Sequence, residues 1–249
     1  MIIIKNESQI AKMRKAGQIV ARALRECAEA IEPGKTTTLS LNYLAERITL
    51  QMGGFPAFKG YRGYPASLCV SVNEEIVHGI PGPRVLEEGD IVGLDMGVVY
   101  DGLIGDAAIT APVGKIDEAT EKLLKVTQQA LAAGLAMATP EYRVGDISNA
   151  IQRTAESQGY SLAEGLQGHG VGVNVHEEPS VPNIGRPGKG PRLRPGMTIA
   201  IEPMVCMGRP QTVCLPDQWT VVTRDGCPSA HFEHTVAITE TGCEILTIE

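Results

Sequence analysis

The heptapeptide Gly89-Asp90-Ile91-Val92-Gly93-Leu94-Asp95 has a counterpart in the second half of the chain, Gly196-Met197-Thr198-Ile199-Ala200-Ile201-Glu202. In each, a glycine opens an apolar run that ends in a carboxylate. Such a run reads as a buried strand, and the charge at its end is costly unless it is paired or bound to a cation. The surroundings repeat too. In each half a long helix and a shorter helix ending in glycine precede the strands: 7–31 and about 39–52, then 117–138 and about 146–158. Ile10, Met13, Ile19, Val20, Leu24, Cys27 and Ile31 keep helical spacing in the first. Asn6 with Gln9 gives it a capping box, and Glu32-Pro33-Gly34 stops it. Strands are expected at 68–72, 91–96, 98–100, 104–111, 197–204, 212–215, 220–223, 231–239 and 243–247. Consecutive strands without helices between them do not suit a TIM barrel. They predict an α+β fold, with helices packed on a largely antiparallel sheet. We read one domain over 1–249, with pseudo-symmetric halves of roughly 1–112 and 113–249.

The bulk composition narrows the function. The chain has 249 residues, 43% hydrophobic and 20% charged, with 22 Lys and Arg against 29 Asp and Glu and a net charge of −7. That is a folded, mildly acidic globular protein. No segment approaches the ~20 apolar residues of a membrane span, and Met1-Ile2-Ile3-Ile4 meets Lys5 too soon for a signal peptide. The six cysteines contain no C-x-x-C pair, so no zinc ribbon or thioredoxin-like motif is expected. Reduced thiols in a cytoplasm are the default. The acidic balance speaks against DNA binding. One basic stretch free of acids, Arg186, Lys189, Arg192 and Arg194, reads as a solvated loop, with a docking patch as the alternative. Gly34-Lys35-Thr36 is not a P-loop, because Glu29 stands where its first glycine belongs, and His176-Glu177-Glu178-Pro179 is not H-E-x-x-H.

The rare side chains are clustered. Phe55, Phe58, Tyr61 and Tyr64 lie among Pro56, Gly60, Gly63 and Pro65, which break a helix and leave a loop presenting rings. Asp95, Asp106, Glu202 and Glu233 all sit in apolar strands. A structural ion pair commonly explains one such carboxylate; four in near-symmetric positions point to cations. Strand alternation gives Asp95, Asp106 and Glu202 small neighbours on their own faces (Gly93, Ala108, Ala200). It also puts His231 on the face of Glu233 and His234 on the other. His169 and His176 would fall on opposite faces of a straight strand, so a bend delivering both to one cleft is expected. Four carboxylates and one imidazole suit two divalent first-row ions, Mn, Fe(II), Co or Zn, rather than copper. A pair of such ions activates water and stabilises an oxyanion, which is hydrolase chemistry.

The segments Ser71-Val72-Asn73-Glu74-Glu75-Ile76-Val77-His78-Gly79-Ile80-Pro81, Asp95 with Asp106, Gly168-His169-Gly170-Val171-Gly172 through His176-Glu177-Glu178-Pro179, Ile201-Glu202-Pro203-Met204 and Phe232-Glu233-His234-Thr235 resemble the type I methionine aminopeptidases, metallopeptidases of the pita-bread fold. The resemblance covers essentially the whole chain. It implies a single catalytic metallopeptidase domain that removes the initiator methionine from nascent polypeptides whose second residue is small. It implies that Asp95, Asp106 and Glu233 bind one metal, and that Asp106, His169, Glu202 and Glu233 bind the other. Glu202 would also shuttle a proton. His78 would contact the scissile amide nitrogen and His176 the carbonyl oxygen. Phe58, Tyr61, Tyr64, Cys69, Val175 and Trp219 would line the methionine pocket. Two positions depart from the pattern of bacterial members: Phe58 stands where Cys is frequent and Val175 where Phe is frequent. The changes are opposite in size and so compensate within one pocket. The compact enzyme family also implies a monomer. The runner-up is a pita-bread peptidase of the prolidase or aminopeptidase P kind, which typically carries an extra N-terminal domain. A non-catalytic pita-bread binding protein would have lost ligands that are all present here. Ribosome docking through residues 186–194 is compatible with the enzyme reading.

Overall fold

The structure, a computed structural model, describes residues 1–249. Its elements run α1 (Glu7–Glu29), α2 (Thr38–Gln51), β1 (Phe55–Pro56), β2 (Cys69–Val72), β3 (Glu75–Val77), β4 (Ile91–Tyr100), β5 (Leu103–Pro112), α3 (Glu118–Ala136), α4 (Val144–Ser157), β6 (Ser161–Leu162), β7 (Gln167–Gly170), β8 (Glu177–Pro182), β9 (Thr198–Ile201), β10 (Met204–Cys206), β11 (Thr212–Cys214), β12 (Val221–Thr223), β13 (Ser229–His231), β14 (Glu233–Ile238) and β15 (Cys243–Ile245). The Asn6–Gln9 capping box opens α1, with both reciprocal bonds at 3.0 Å. Each satisfies an amide that the first helical turn leaves without a partner.

A nine-stranded antiparallel sheet takes the order β1-β4-β5-β14-β9-β7-β8, with β2 on β4 and β15 on β14. Two three-stranded sheets, β13-β10-β6 and β11-β12-β3, complete the β structure. The helices cover the large sheet in two pairs, matching the two halves of the sequence. Ile19, Val20 and Leu24 of α1 with Leu41 and Ile48 of α2 bury Val92, Leu94 and Met96 of β4. Leu123 and Leu131 of α3 with Ile147 and Ile151 of α4 bury Ile199 and Ile201 of β9 and Val236 of β14. This is the pita-bread fold, α+β with a pseudo-two-fold repeat and helices packed on a curved, largely antiparallel sheet. Gly17 lets α1 lie directly against the backbone of Leu246 and β5; a Cβ there would overlap the Leu246 carbonyl.

The helices begin and end within a few residues of the expected positions, whereas several strands differ. Residues 91–100 form one strand, not two. The run 197–204 divides into β9 and β10, in different sheets. Pro203 lies at the division and has no N–H to continue the ladder. The run 231–239 likewise divides at Phe232 into β13 and β14. Residues 55–65 are mainly loop, with the two-residue strand β1 and a single 3₁₀ turn at Tyr61–Gly63. The sequence pattern does not reveal β7, rich in glycine, or β8, which carries two prolines at the sheet margin.

Candidate metal centre

Strand register assembles the acidic residues on one face. Residues directly opposite in an antiparallel pair share a face. Asp95 on β4 lies opposite Ala108 on β5, and Asp106 lies opposite Gly97. Glu233 on β14 also lies opposite Ala108. The three carboxylates therefore project to the same side. Ala200 of β9 faces Thr235, so Glu202, two residues on, comes from that side too. His169 arrives on β7 between two glycines that have no room for a side chain. A Cβ at Gly168 would overlap the Ala200 carbonyl, and one at Gly170 the Glu178 carbonyl.

Side-chain latches fix these strands. Thr235 Oγ1 donates to the Asp106 carbonyl (2.7 Å) and accepts its N–H (3.0 Å). Thr110 Oγ1 treats His231 in the same way, at 2.8 and 2.9 Å. The two threonines flank the Glu233–Ala108 pair symmetrically, one contributed by each half.

A cavity of about 610 Å³ opens at this face. It is lined by Phe58, Tyr61, Tyr64, Cys69, His78, Asp95, Asp106, His169, Val175, His176, Glu202, Trp219 and Glu233, so every residue that the family resemblance assigned to metal or substrate borders it, whereas His231 does not. His169 Nε2 lies 3.5 Å from Glu202 Oε1 and 3.9 Å from Asp106 Oδ2. Asp106, His169 and Glu233 each offer a donor atom within 4.8 Å of the others, as do Glu202, His231 and Glu233. Asp95 lies outside both triads, on the Cys69 side of the cavity. His231 Nε2 approaches Glu202 Oε2 to 3.3 Å, whereas His234 turns away to Thr247 Oγ1 at 2.9 Å, the division expected from strand alternation. The bend between β7 and β8 brings the His169 and His176 rings to 4.2 Å.

The electrostatics are those of a site that wants cations. Burial, reinforced by the other carboxylates, holds Asp95 and Glu233 well above the ordinary range. Burial, with Glu202 adding, pushes Asp106 up to about 8. Burial raises Glu202 to about 7, against the opposing pull of His169. It also lowers His78 to about 4 and His231 to about 3, and depresses His169 and His176. These imidazoles are therefore neutral near pH 7 and able to ligate or to donate a single hydrogen bond. Asp95 Oδ1, Asp106 Oδ1, Glu233 Oε1 and His231 Nε2 are buried without a hydrogen-bond partner. Buried polar atoms are nearly always satisfied; three carboxylate oxygens left free around one cavity fit divalent metal, and the oxygen-rich donor set fits the harder first-row ions.

The apolar wall lies beside this cluster. Tyr64 and Trp219 meet edge to face at 5.1 Å, packed with Cys69 and Phe58. Phe58 also belongs to the cluster that contains Val175, so the two unusual residues do pack in one region. Tyr61 OH contacts His176 Nδ1 at 2.9 Å. His78 holds φ at 61°, in the left-handed region that costs a non-glycine residue strain and recurs at functional sites. Arg62, Gln167, Glu177, Glu178 and Met204 also border the cavity. None carries a sequence signature of its own, although Glu177 and Glu178 lie within the quoted His176 segment.

The profile of metallopeptidase family M24 matches residues 11–240. The chain is 51% identical to methionine aminopeptidase 1 of Bacillus subtilis over 247 residues, 99% of each chain. A crystal structure of methionine aminopeptidase from Thermotoga maritima superposes with a TM-score of 0.98 at 51% identity, covering 100% of both chains. Prolidase from Pyrococcus furiosus shares the fold alone, with a TM-score of 0.82, 24% identity and 66% of its length covered. A near-complete match in sequence and in backbone, around a cavity built of metal-binding side chains, places the chain in metallopeptidase family M24, among the methionine aminopeptidases.

Proposed function

We propose that the chain hydrolyses the N-terminal methionine from nascent proteins and peptides whose second residue is small, using two divalent ions. The observation that carries this reading is the juxtaposition of four buried carboxylates with an aromatic and thiol-lined pocket in one cavity. Asp95, Asp106 and Glu233 would hold one ion and Asp106, His169, Glu202 and Glu233 the other. The bound ions would supply Lewis-acid activation of water and of the scissile carbonyl. Co, Mn, Fe(II) and Zn all suit the donors.

The chain's own groups do the rest. Glu202, buried beside the imidazoles of His169 and His231, takes a proton from the attacking water and returns it to the departing amide nitrogen. When Tyr61 OH donates to His176 Nδ1, the neutral ring carries its proton on Nε2, a donor for the substrate carbonyl oxygen. His78 borders the cavity, edge on to Trp219 at 6.3 Å, and serves the amide nitrogen side. Phe58, Tyr61, Tyr64, Cys69, Val175 and Trp219 receive the methionine side chain, where sulfur and aromatic edges attract.

The remaining readings belong to the same proposal. Residues 1–249 act as one catalytic domain, monomeric and cytoplasmic. Arg186, Lys189, Arg192 and Arg194 are all exposed and offer a ribosome contact; charge reversal there that leaves ribosome co-sedimentation unchanged would eliminate it. No helix is long and apolar enough to cross a membrane. The deciding experiment compares Met-Ala-Ser, Met-Lys-Ser and Ala-Pro peptides with added Mn, Co, Fe(II) or Zn. Metal-dependent cleavage of Met-Ala-Ser alone is expected; cleavage of Ala-Pro alone would sink the methionine assignment.

A further inference from the structure

We propose that Lys5 is a positioning residue for this reaction, acting through Glu177 to fix the loop that carries Val175 and His176. The inference rests on the reading of those two residues as substrate contacts. Lys5 lies in the short segment before α1, far in sequence from the cleft, yet its side chain is 1% exposed and ion-paired with Glu177, itself 2% exposed. Lys5 Nζ bonds Glu177 Oε2 and also reaches the Ile3 carbonyl at 3.3 Å. The second Glu177 oxygen, Oε1, accepts the backbone N–H groups of Val173 (2.7 Å) and Asn174 (2.9 Å). One carboxylate thus gathers the turn immediately before Val175 and His176, and Lys5 holds that carboxylate.

The other end of the loop is also anchored. The Gly172 carbonyl accepts the Ile104 N–H of β5 at 2.8 Å. Gly172 packs so closely on the Lys5 stem that a Cβ would overlap Lys5 Cε. Lys5 is seated in turn by its own N–H, which donates to the Gly196 carbonyl at 2.8 Å, while the Gly196 N–H donates to Ile238 of β14 at 2.9 Å. The loop tip has little apolar burial to hold it, since Val173 is 48% exposed. A buried ion pair is a weak source of net stability compared with apolar packing. Here its hydrogen bonds define the geometry of a turn. Glu177 also borders the cavity that contains four other buried carboxylates, so a fixed cation on its outer side keeps its charge facing the loop amides.

The test uses the full-length, metal-loaded protein with Lys5→Met and with the double variant Lys5→Met/Glu177→Gln, which leaves no unpaired buried charge and keeps an oxygen for the two amides. Each is compared with wild type and combined with His176→Ala. Expected in the double variant are a melting temperature close to wild type, metal affinity by calorimetry unchanged, and faster hydrogen exchange at Val173 and Asn174. Its kcat/KM on Met-Ala-Ser should fall about tenfold or more, the order of loss that an ångström-scale misplacement brings. His176→Ala should cost less in that background than in wild type, because its contribution is already weakened. Wild-type kcat/KM with unchanged exchange overturns the proposal, as does strict additivity with His176→Ala. Failure of the methionine reading looks different: the unaltered protein leaves Met-Ala-Ser uncut, while the exchange data still decide whether Lys5 holds the loop.

Discussion

Asp106 serves the fold and the cleft at once. Its carboxylate faces the cavity, while its backbone exchanges hydrogen bonds with Thr235. Replacing Asp106 or Glu233 with Ala should abolish metal-dependent turnover and, because each is assigned to both ions, weaken the binding of both in calorimetry; normal activity would refute the ligand assignment. The apolar pocket makes a separate prediction. Val175→Phe alone should overfill the space shared with Phe58 and raise KM for Met-Ala-Ser, at a stability cost of about 1–3 kcal/mol. Phe58→Cys/Val175→Phe should recover most of both, as read by steady-state kinetics and thermal melts. The carboxylates and Gly-flanked His169 are legible in the sequence because charge in an apolar run is conspicuous. Lys5 and Glu177 are not, because a lysine beside an N-terminus and a glutamate in a loop look ordinary until folding brings them together.

Among the elements, legibility follows the source of order. Helices declare themselves through local periodicity and caps, so all four are found with nearly correct ends. The strands with clear apolar runs are found as well, but not where they break. Pro203 and Phe232 redirect the chain between sheets, and that choice is made by partners distant in sequence. β7 takes its strand form from close backbone packing at Gly168 and Gly170, which leaves no residue pattern to read. The Thr110 and Thr235 latches bind β5 to the β13–β14 segment from both sides of Glu233. Thr235→Val removes both side-chain bonds and strands the buried Asp106 N–H. A loss of about 1–3 kcal/mol is expected in denaturant unfolding. Because these latches orient the proposed ligands Asp106 and Glu233, metal affinity should fall by about 10- to 100-fold. Unchanged affinity would mean that β5 holds Asp106 without help.

The collective charge of the site sets a property of the whole molecule. In the metal-free folded chain Asp106 titrates at about 8 and Glu202 at about 7. In the unfolded chain both return to about 4. Between those limits these two groups retain protons in the folded state that the unfolded state has released, so their contribution destabilises the fold as the pH rises. The penalty is absent below about pH 4 and complete above about pH 8. Below about pH 7 the depressed histidines act in the opposite sense, because they bind protons only in the unfolded chain. Chelator-stripped protein should therefore melt at progressively lower temperature from about pH 7 to 8.5, and bound divalent metal should flatten or reverse that slope. A stripped protein that gained stability over this range would contradict it. The N-terminus offers a second check at this scale. Ile2 is bulky and packs against the α3–α4 core, so under the proposed preference for a small second residue intact mass should show Met1 retained.

The proposed ligand set is divided along the chain: Asp95 and Asp106 lie on an early hairpin, His169 and Glu202 follow, and Glu233 stands on β14. β14 is also a central strand, inserted between β5 and β9. During synthesis the early hairpin emerges first and waits for the strand that must lie beside it. The centre cannot close until β14 has taken its place between β5 and β9. An enzyme proposed to act on unfinished chains is thus idle for as long as it is one, until the strand that carries Glu233 has joined the sheet.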